Sequence, residues 1–115
     1  MDVGYLGLNA GISIFGLTEQ VSETEFSSIF NVNGLHVVYL TKAMLNQLQA
    51  RRNRSAIVIV SSIASFMHLP DITSYCATKA MVRTFGQALH YEVKEKIDVL
   101  AWTPGYVRTN MTSNL

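Results

Sequence analysis

Ser62, Tyr75 and Lys79 stand thirteen and four residues apart, on either side of an apolar loop, and together they pose a problem of proton transfer. A phenol titrates near pH ~10 in water, so Tyr75 can exchange a proton near neutrality only if a neighbouring cation stabilises its phenolate. Lys79 stands where it could do so. Four residues along a helix return to nearly the same azimuth, which puts the phenol and the ammonium on one face. Tyr-x-x-x-Lys alone is a weak motif, common by chance, and its meaning depends on the elements that position it.

The chain has 115 residues, 49% of them apolar and 15% charged, with a formal net charge of +1. That length allows one modest core but is short for an enzyme holding two substrates, which hints at a piece of something longer. The composition argues against disorder, and the weak charge leaves no field to recruit nucleic acid or an acidic membrane. Arg51, Arg52 and Arg54 form the one basic run; following a long amphipathic segment, they read as cations favoured at that helix's C-terminus. Cys76 is the single cysteine, so no internal disulfide is possible, and its position beside Tyr75 reads as a small buried filler. His36, His68 and His90 have no ligand spacing, and no metal site is expected. No apolar stretch reaches the ~20 residues that span a bilayer, and the first residues lack the basic flank of a signal peptide. A cytoplasmic protein is expected, membrane-associated if a further N-terminal segment carries an anchor.

Residues 3–8 form a short apolar run closed by Asn9-Ala10-Gly11, a buried strand emptying into a turn. Ser22 and Glu25 form a capping box, after which Phe26, Ile29, Phe30, Asn33, Val37, Leu40, Met44 and Leu48 keep helical spacing, so a long helix in one or two pieces runs to about Arg51. Residues 56–60 are continuously apolar and mostly β-branched, the mark of a strand covered on both faces, and Ser61-Ser62 end it. A loop through Pro70 and Asp71 leads to a second helix whose stripe is Thr78, Val82, Phe85, Leu89 and Val93, fraying near Lys96. Residues 97–102 form a third strand, broken by Pro104-Gly105. Strand, helix, strand, helix, strand predicts an α/β chain with a parallel sheet, right-handed crossovers and ligands at the carboxyl ends of the strands. Asn9, Ser62 and residues 103–109 all fall there.

Taken together these residues resemble the short-chain dehydrogenase/reductase family. Asn9-Ala10-Gly11 is similar to its Asn-Ala-Gly turn, Val32-Asn33 to its helix asparagine, and Ile59-Val60-Ser61-Ser62 to the strand that delivers its serine. Tyr75-Cys76-Ala77-Thr78-Lys79 is similar to its Tyr-x-x-x-Lys helix, and the stretch from Pro104-Gly105 to Thr109 to its Pro-Gly turn and following threonine. Five motifs in order and spacing run from about residue 3 to residue 111.

The resemblance implies part of a doubly wound, Rossmann-like parallel sheet and an NAD(P)-dependent oxidoreductase, a ketoreductase in the reducing direction. Catalysis would fall to Asn33, Ser62, Tyr75 and Lys79. Tyr75 would pass its proton to the carbonyl oxygen, Lys79 would ease that transfer and hold the cofactor ribose, Ser62 would donate a hydrogen bond to the same oxygen, and Asn33 would anchor a water in a relay behind Lys79. That role also gives a buried amide on an apolar stripe its partners. Asn9, Ala10, Gly11, Tyr75, Lys79, Pro104, Gly105 and Thr109 would contact the cofactor, NAD or NADP with the latter favoured. Ile63, Phe66, Met67 and Leu69 make the loop before Tyr75 apolar, which suggests an apolar small-molecule carbonyl or alcohol, with His68 able to touch it; core packing explains that loop equally well. The run of the second helix and the Pro-Gly-Tyr-Val-Arg-Thr-Asn-Met stretch look most like reductases of steroids or long-chain 3-oxoacyl thioesters. A homo-oligomer through the two long helices is expected, with Tyr39 and Met81 exposed on the joining face.

The family's Thr-Gly-x-x-x-Gly-x-Gly turn, whose helix N-terminus holds the cofactor pyrophosphate, has no counterpart here. The expectation is therefore that residues 1–115 are the catalytic middle of one domain, without the N-terminal cofactor half or the C-terminal substrate region, and inactive alone. The alternative is a truncated non-catalytic module that keeps the family's dimerising helices.

Overall fold

The computed structural model describes residues 2–105. Three strands, β1 (Tyr5–Leu8), β2 (Ser55–Val60) and β3 (Ile97–Trp102), pair in parallel in the order β1-β2-β3. Leu6 lies opposite Ile57, and Ile57 opposite Val99, so the register brings Leu8, Ile59 and Ala101 to one level on one face. Two helical segments fill the crossovers. The first is α1 (Glu23–Phe30), a π-helical turn (Asn31–Leu35) and α2 (His36–Ala50); the second is α3 (Thr73–Val93). This is the parallel Rossmann-like architecture expected from the alternation.

The boundaries follow local chemistry. Ser22 Oγ accepts from the Glu25 amide at 3.1 Å, and a Glu25 carboxylate oxygen accepts from the Ser22 amide at 3.2 Å, so the capping box forms as read. Val37 and Leu48 from α2, and Val82, Leu89 and Val93 from α3, pack with Leu8, Ile57, Ile59 and Ile97 into one core. Both helices thus cover the same side of the sheet. Gly86 permits this closeness, because a Cβ there would stand 3.1 Å from Ile59 Cδ1 and 3.2 Å from Ala101 Cβ.

Three expectations change. Among the described residues β2 is covered on one face only, and Val58 sits half-buried beside Leu100 on the open one. Met81 is half-buried, not exposed: a Cβ on Gly34 would meet its sulfur at 2.9 Å, so the methionine fills the space that this glycine leaves between α3 and the π-helical turn. The arginine run divides its work. Arg54 does serve a helix C-terminus, but that of α3, donating to the carbonyls of Lys94 and Glu95 and pairing with Asp98. Arg51 instead ties the end of α2 to Asp2 and to Ser55.

Candidate active site

Lys79 is the centre of the site. It lies on the buried face of α3, 5% exposed, and its Nζ donates at 3.2 Å to the carbonyl of Val60, the last residue of β2. Its own main-chain carbonyl accepts from Ser61 Oγ at 2.8 Å. Strand end and helix are laced together at this residue, which fixes Ser62 relative to α3. Lys79 Nζ also lies 5.6 Å from the centroid of the half-buried Tyr75 ring, on the same helix face as the four-residue spacing requires.

Burial pushes the Lys79 ammonium below its ordinary value of 10.5. The folded chain therefore releases this proton at lower pH than the unfolded chain does. Between the lowered value and 10.5 the unfolded state binds more protons, so stability rises with pH across that window. The wild-type chain should gain in melting temperature against Lys79→Met as the pH is raised toward the ordinary value of 10.5. A constant difference between the two would show that the buried ammonium carries no penalty.

Ser62 stands two residues beyond β2 and caps a 3-10 turn (Ile63–Phe66), its Oγ accepting from the Ala64 amide at 3.1 Å. That bond uses a lone pair and leaves the hydroxyl proton available. The Ile63 amide donates to the Pro104 carbonyl at 2.9 Å, which brings the residue after β3 against the serine turn. A Cβ on Gly105 would meet nothing within 4 Å. Thr109 lies outside the described residues.

Asn33 sits in the π-helical turn, 1% exposed, and joins the chain after β1 to α3. Its Oδ1 accepts from the Ile12 amide and its Nδ2 donates to the Ile12 carbonyl, each at 2.8 Å; the Nδ2 also donates to Thr78 Oγ1 at 3.3 Å. Both amide hydrogens are thus committed. The buried asparagine finds its partners in the chain after β1, and any water anchored at this residue needs a further acceptor such as its main-chain carbonyl. Ile12 and Thr78 were not expected to take part. Thr78 was legible only as a hydroxyl on an apolar stripe, and nothing in a backbone amide at position 12 signals its use.

Gly11 completes the arrangement. A Cβ there would stand 3.4 Å from Lys79 Nζ and 3.5 Å from Asn33 Oδ1, so the glycine leaves a bare backbone surface beside the cation. A planar cofactor that must approach the main chain closely fits this cradle. Asn9 and Ala10 are exposed and line a separate small hollow with Gly7, Val32, His36 and Leu40. A larger cleft of about 500 Å³ lies elsewhere, lined by Met67, His68, Leu69 and Pro70 from the loop and by Cys76 and Ala80 from α3. Ser62, Tyr75 and Lys79 do not line it. Met67, His68 and Leu69 thus line a cleft that Tyr75 does not share, while Ile63 and Phe66 are exposed in the turn after Ser62. Cys76 is buried at the cleft wall, as a small filler would be.

The family model described as short chain dehydrogenase matches residues 1–115. A 3-oxoacyl-[acyl-carrier-protein] reductase of Haemophilus influenzae is 34% identical over 115 residues, covering 99% of this chain and 47% of the relative. An 11-beta-hydroxysteroid dehydrogenase of Pinus massoniana is 32% identical over 105 residues, covering 90% of this chain and 29% of the relative. Among solved structures, a Beutenbergia cavernae protein with NADP bound at low occupancy superposes with a TM-score of 0.92 at 29% identity, covering 98% of this chain and 45% of that one. The chain spans less than half the length of the curated relatives it matches. Among the described residues no helix is long and apolar enough to cross a membrane.

Proposed function

The chain belongs to the short-chain dehydrogenase family, and from that membership we propose that residues 1–115 are the catalytic middle of a longer NAD(P)-dependent oxidoreductase acting on an apolar carbonyl or alcohol. The observation that carries this reading is the convergence on Lys79: Tyr75 on its own helix face, Val60 and Ser61 at the strand end before Ser62, and Gly11 and Asn33 beside its ammonium. A structural lysine has no need of a phenol, a serine turn and a bare glycine around it.

The nicotinamide, when bound, supplies or accepts a hydride; the proton chemistry falls to this chain. In the reducing direction the Ser62 hydroxyl, its lone pair held by the Ala64 amide, donates to the substrate oxygen and stabilises the charge developing there. Tyr75 gives its phenolic proton to the same oxygen, so that no free alkoxide persists. Lys79 stabilises the negative charge left on the phenol and holds the cofactor ribose hydroxyls. Gly11 would form the cofactor wall beside Lys79, with Asn9 and Ala10 from their own hollow and Pro104 and Gly105 from beside the serine turn completing it. NADP is favoured over NAD, in keeping with the nucleotide in the Beutenbergia cavernae protein. The exposed Ile63 and Phe66 beside Ser62 support an apolar substrate. The 3-oxoacyl-[acyl-carrier-protein] reductase and the hydroxysteroid dehydrogenase are in keeping with this, whereas the Beutenbergia cavernae protein is described as a gluconate 5-dehydrogenase, which takes a polar sugar acid. Self-association would use the long helices, where Tyr39 is 62% exposed.

The full-length protein is expected to consume reduced nicotinamide when offered 3-oxoacyl thioesters, ketosteroids or medium-chain ketones. Residues 1–115 contain no Thr-Gly-x-x-x-Gly-x-Gly segment to hold a pyrophosphate, and with only a few hydrogen bonds available they should bind the cofactor no tighter than about 1 mM. No turnover by the full-length protein with any of these carbonyls, or with the matching alcohols, would refute the oxidoreductase reading. Micromolar cofactor binding by residues 1–115 would instead overturn their placement as the middle of a divided site.

A further inference from the structure

We propose that Arg83 is a positioning residue for Ser62, acting through the 3-10 turn Ile63–Phe66; the proposal rests on the oxidoreductase reading and adds to it a determinant of the serine's geometry. Arg83 stands one helical turn beyond Lys79 on α3. Its guanidinium is held on three sides. Nε donates to Ser65 Oγ at 3.1 Å, the guanidinium carbon lies 4.2 Å from the centroid of the Phe66 ring, and Nη1 donates to Gln87 Oε1 at 3.4 Å. Two of these three contacts are to the turn that Ser62 begins.

That turn decides what the Ser62 hydroxyl can do. Ser62 Oγ accepts from the Ala64 amide at 3.1 Å, and the Ser62 carbonyl accepts from the Ser65 amide at 2.9 Å. While the Ala64 amide occupies an Oγ lone pair, the hydroxyl proton is directed elsewhere and can reach a substrate oxygen. If the turn opens, the hydroxyl is free to rotate and the directed donor is lost. A four-residue 3-10 turn has poor hydrogen-bond geometry of its own and needs outside support. Phe66 gives little to the core, being 59% exposed. The planar arginine lies over its ring while bonding the residue before it, a combination that a lysine's point charge does not reproduce. The Arg83 side chain contacts Ser65, Phe66 and Gln87. Its effect therefore passes through the turn.

The test is a cycle in the full-length protein with NADPH and a medium-chain ketone: wild type, Arg83→Met, Ser62→Ala and the double variant, with Arg83→Lys as the conservative control. Arg83→Met is expected to lower kcat by roughly tenfold, the size of coupling found between groups in contact, while leaving the KM for NADPH unchanged. In the Ser62→Ala background the same substitution should have no further effect, because the group it positions is gone. Arg83→Lys should fall between wild type and Arg83→Met. Equal loss in both backgrounds, or a lowered melting temperature with unchanged kcat, would overturn the proposal. Amide exchange decides it independently of turnover. The Ala64 amide should exchange faster in Arg83→Met than in wild type while amides of the core strands do not, and unchanged protection at Ala64 would sink the assignment. Should wild type reduce no carbonyl compound at all, the oxidoreductase reading fails, and the Ala64 amide still reports whether Arg83 holds the turn.

Discussion

Tyr75→Phe should cost the full-length protein at least about a hundredfold in kcat while leaving its affinity for reduced nicotinamide within about twofold, since a positioned general acid typically contributes 10²-fold or more and ring packing survives the loss of one oxygen. The ring is half-buried and Lys79 Nζ lies 5.6 Å from its centroid, a contact that phenylalanine retains. Lys79→Ala removes more. It deletes the cation beside the phenol, frees the Val60 carbonyl from its 3.2 Å bond, and empties the space beside Gly11. Both kcat and cofactor affinity should fall in that variant. The contrast between the two substitutions separates proton donation from cofactor binding. Tyr75→Phe retaining more than about a tenth of wild-type turnover would mean that another group supplies the proton.

The parts of the site legible in the sequence are those whose chemistry depends on local spacing. Tyr75 and Lys79 share a helix face because four residues make about one turn, and the capping box at Ser22 and Glu25 needs only its own four residues. The continuous apolar run of β2 marked it as a strand with Ser61 and Ser62 following its carboxyl end, but its place between β1 and β3 in the sheet was not legible there. What stayed hidden depends on partners far along the chain. Ser61 spends its hydroxyl on the Lys79 carbonyl 18 residues away, and a Ser-Ser pair does not say which serine turns inward. Arg54 was readable as a cation for a helix end, but the helix it serves lies about 40 residues on. The π-helical turn left no periodic trace. Ile29, Asn33 and Val37 are all buried at four-residue spacing across it, so the apolar stripe runs through the extra residue unbroken. Met81 looked exposed because α3 was read without the glycine that the π-helical turn presents to it.

Asn33 carries the second large effect, on folding and activity together. Its amide is the one side chain seen to bind both the N–H and the C=O of Ile12, each at 2.8 Å, and this pins the loop that follows β1 to the helix pair. Asn33→Ala removes both bonds and the weaker one to Thr78. A buried group left without its partner costs about 1–3 kcal/mol, and water can reach the part-buried Ile12 in compensation, so a loss of about 2–3 kcal/mol in all is expected. Thr78→Val loses only the 3.3 Å contact and the hydroxyl's own bond to the Tyr75 carbonyl, and should cost about 1 kcal/mol. Denaturant unfolding of the two variants ranks them. Activity should follow the same order for a geometric reason: the loop released in Asn33→Ala carries Gly11, whose bare backbone faces Lys79 Nζ, so the wall of the cofactor cradle moves with it. Asn33→Ala that unfolds no more readily than Thr78→Val would show that the loop after β1 is held by its strand alone. The asparagine would then have to be explained by what its main-chain carbonyl binds.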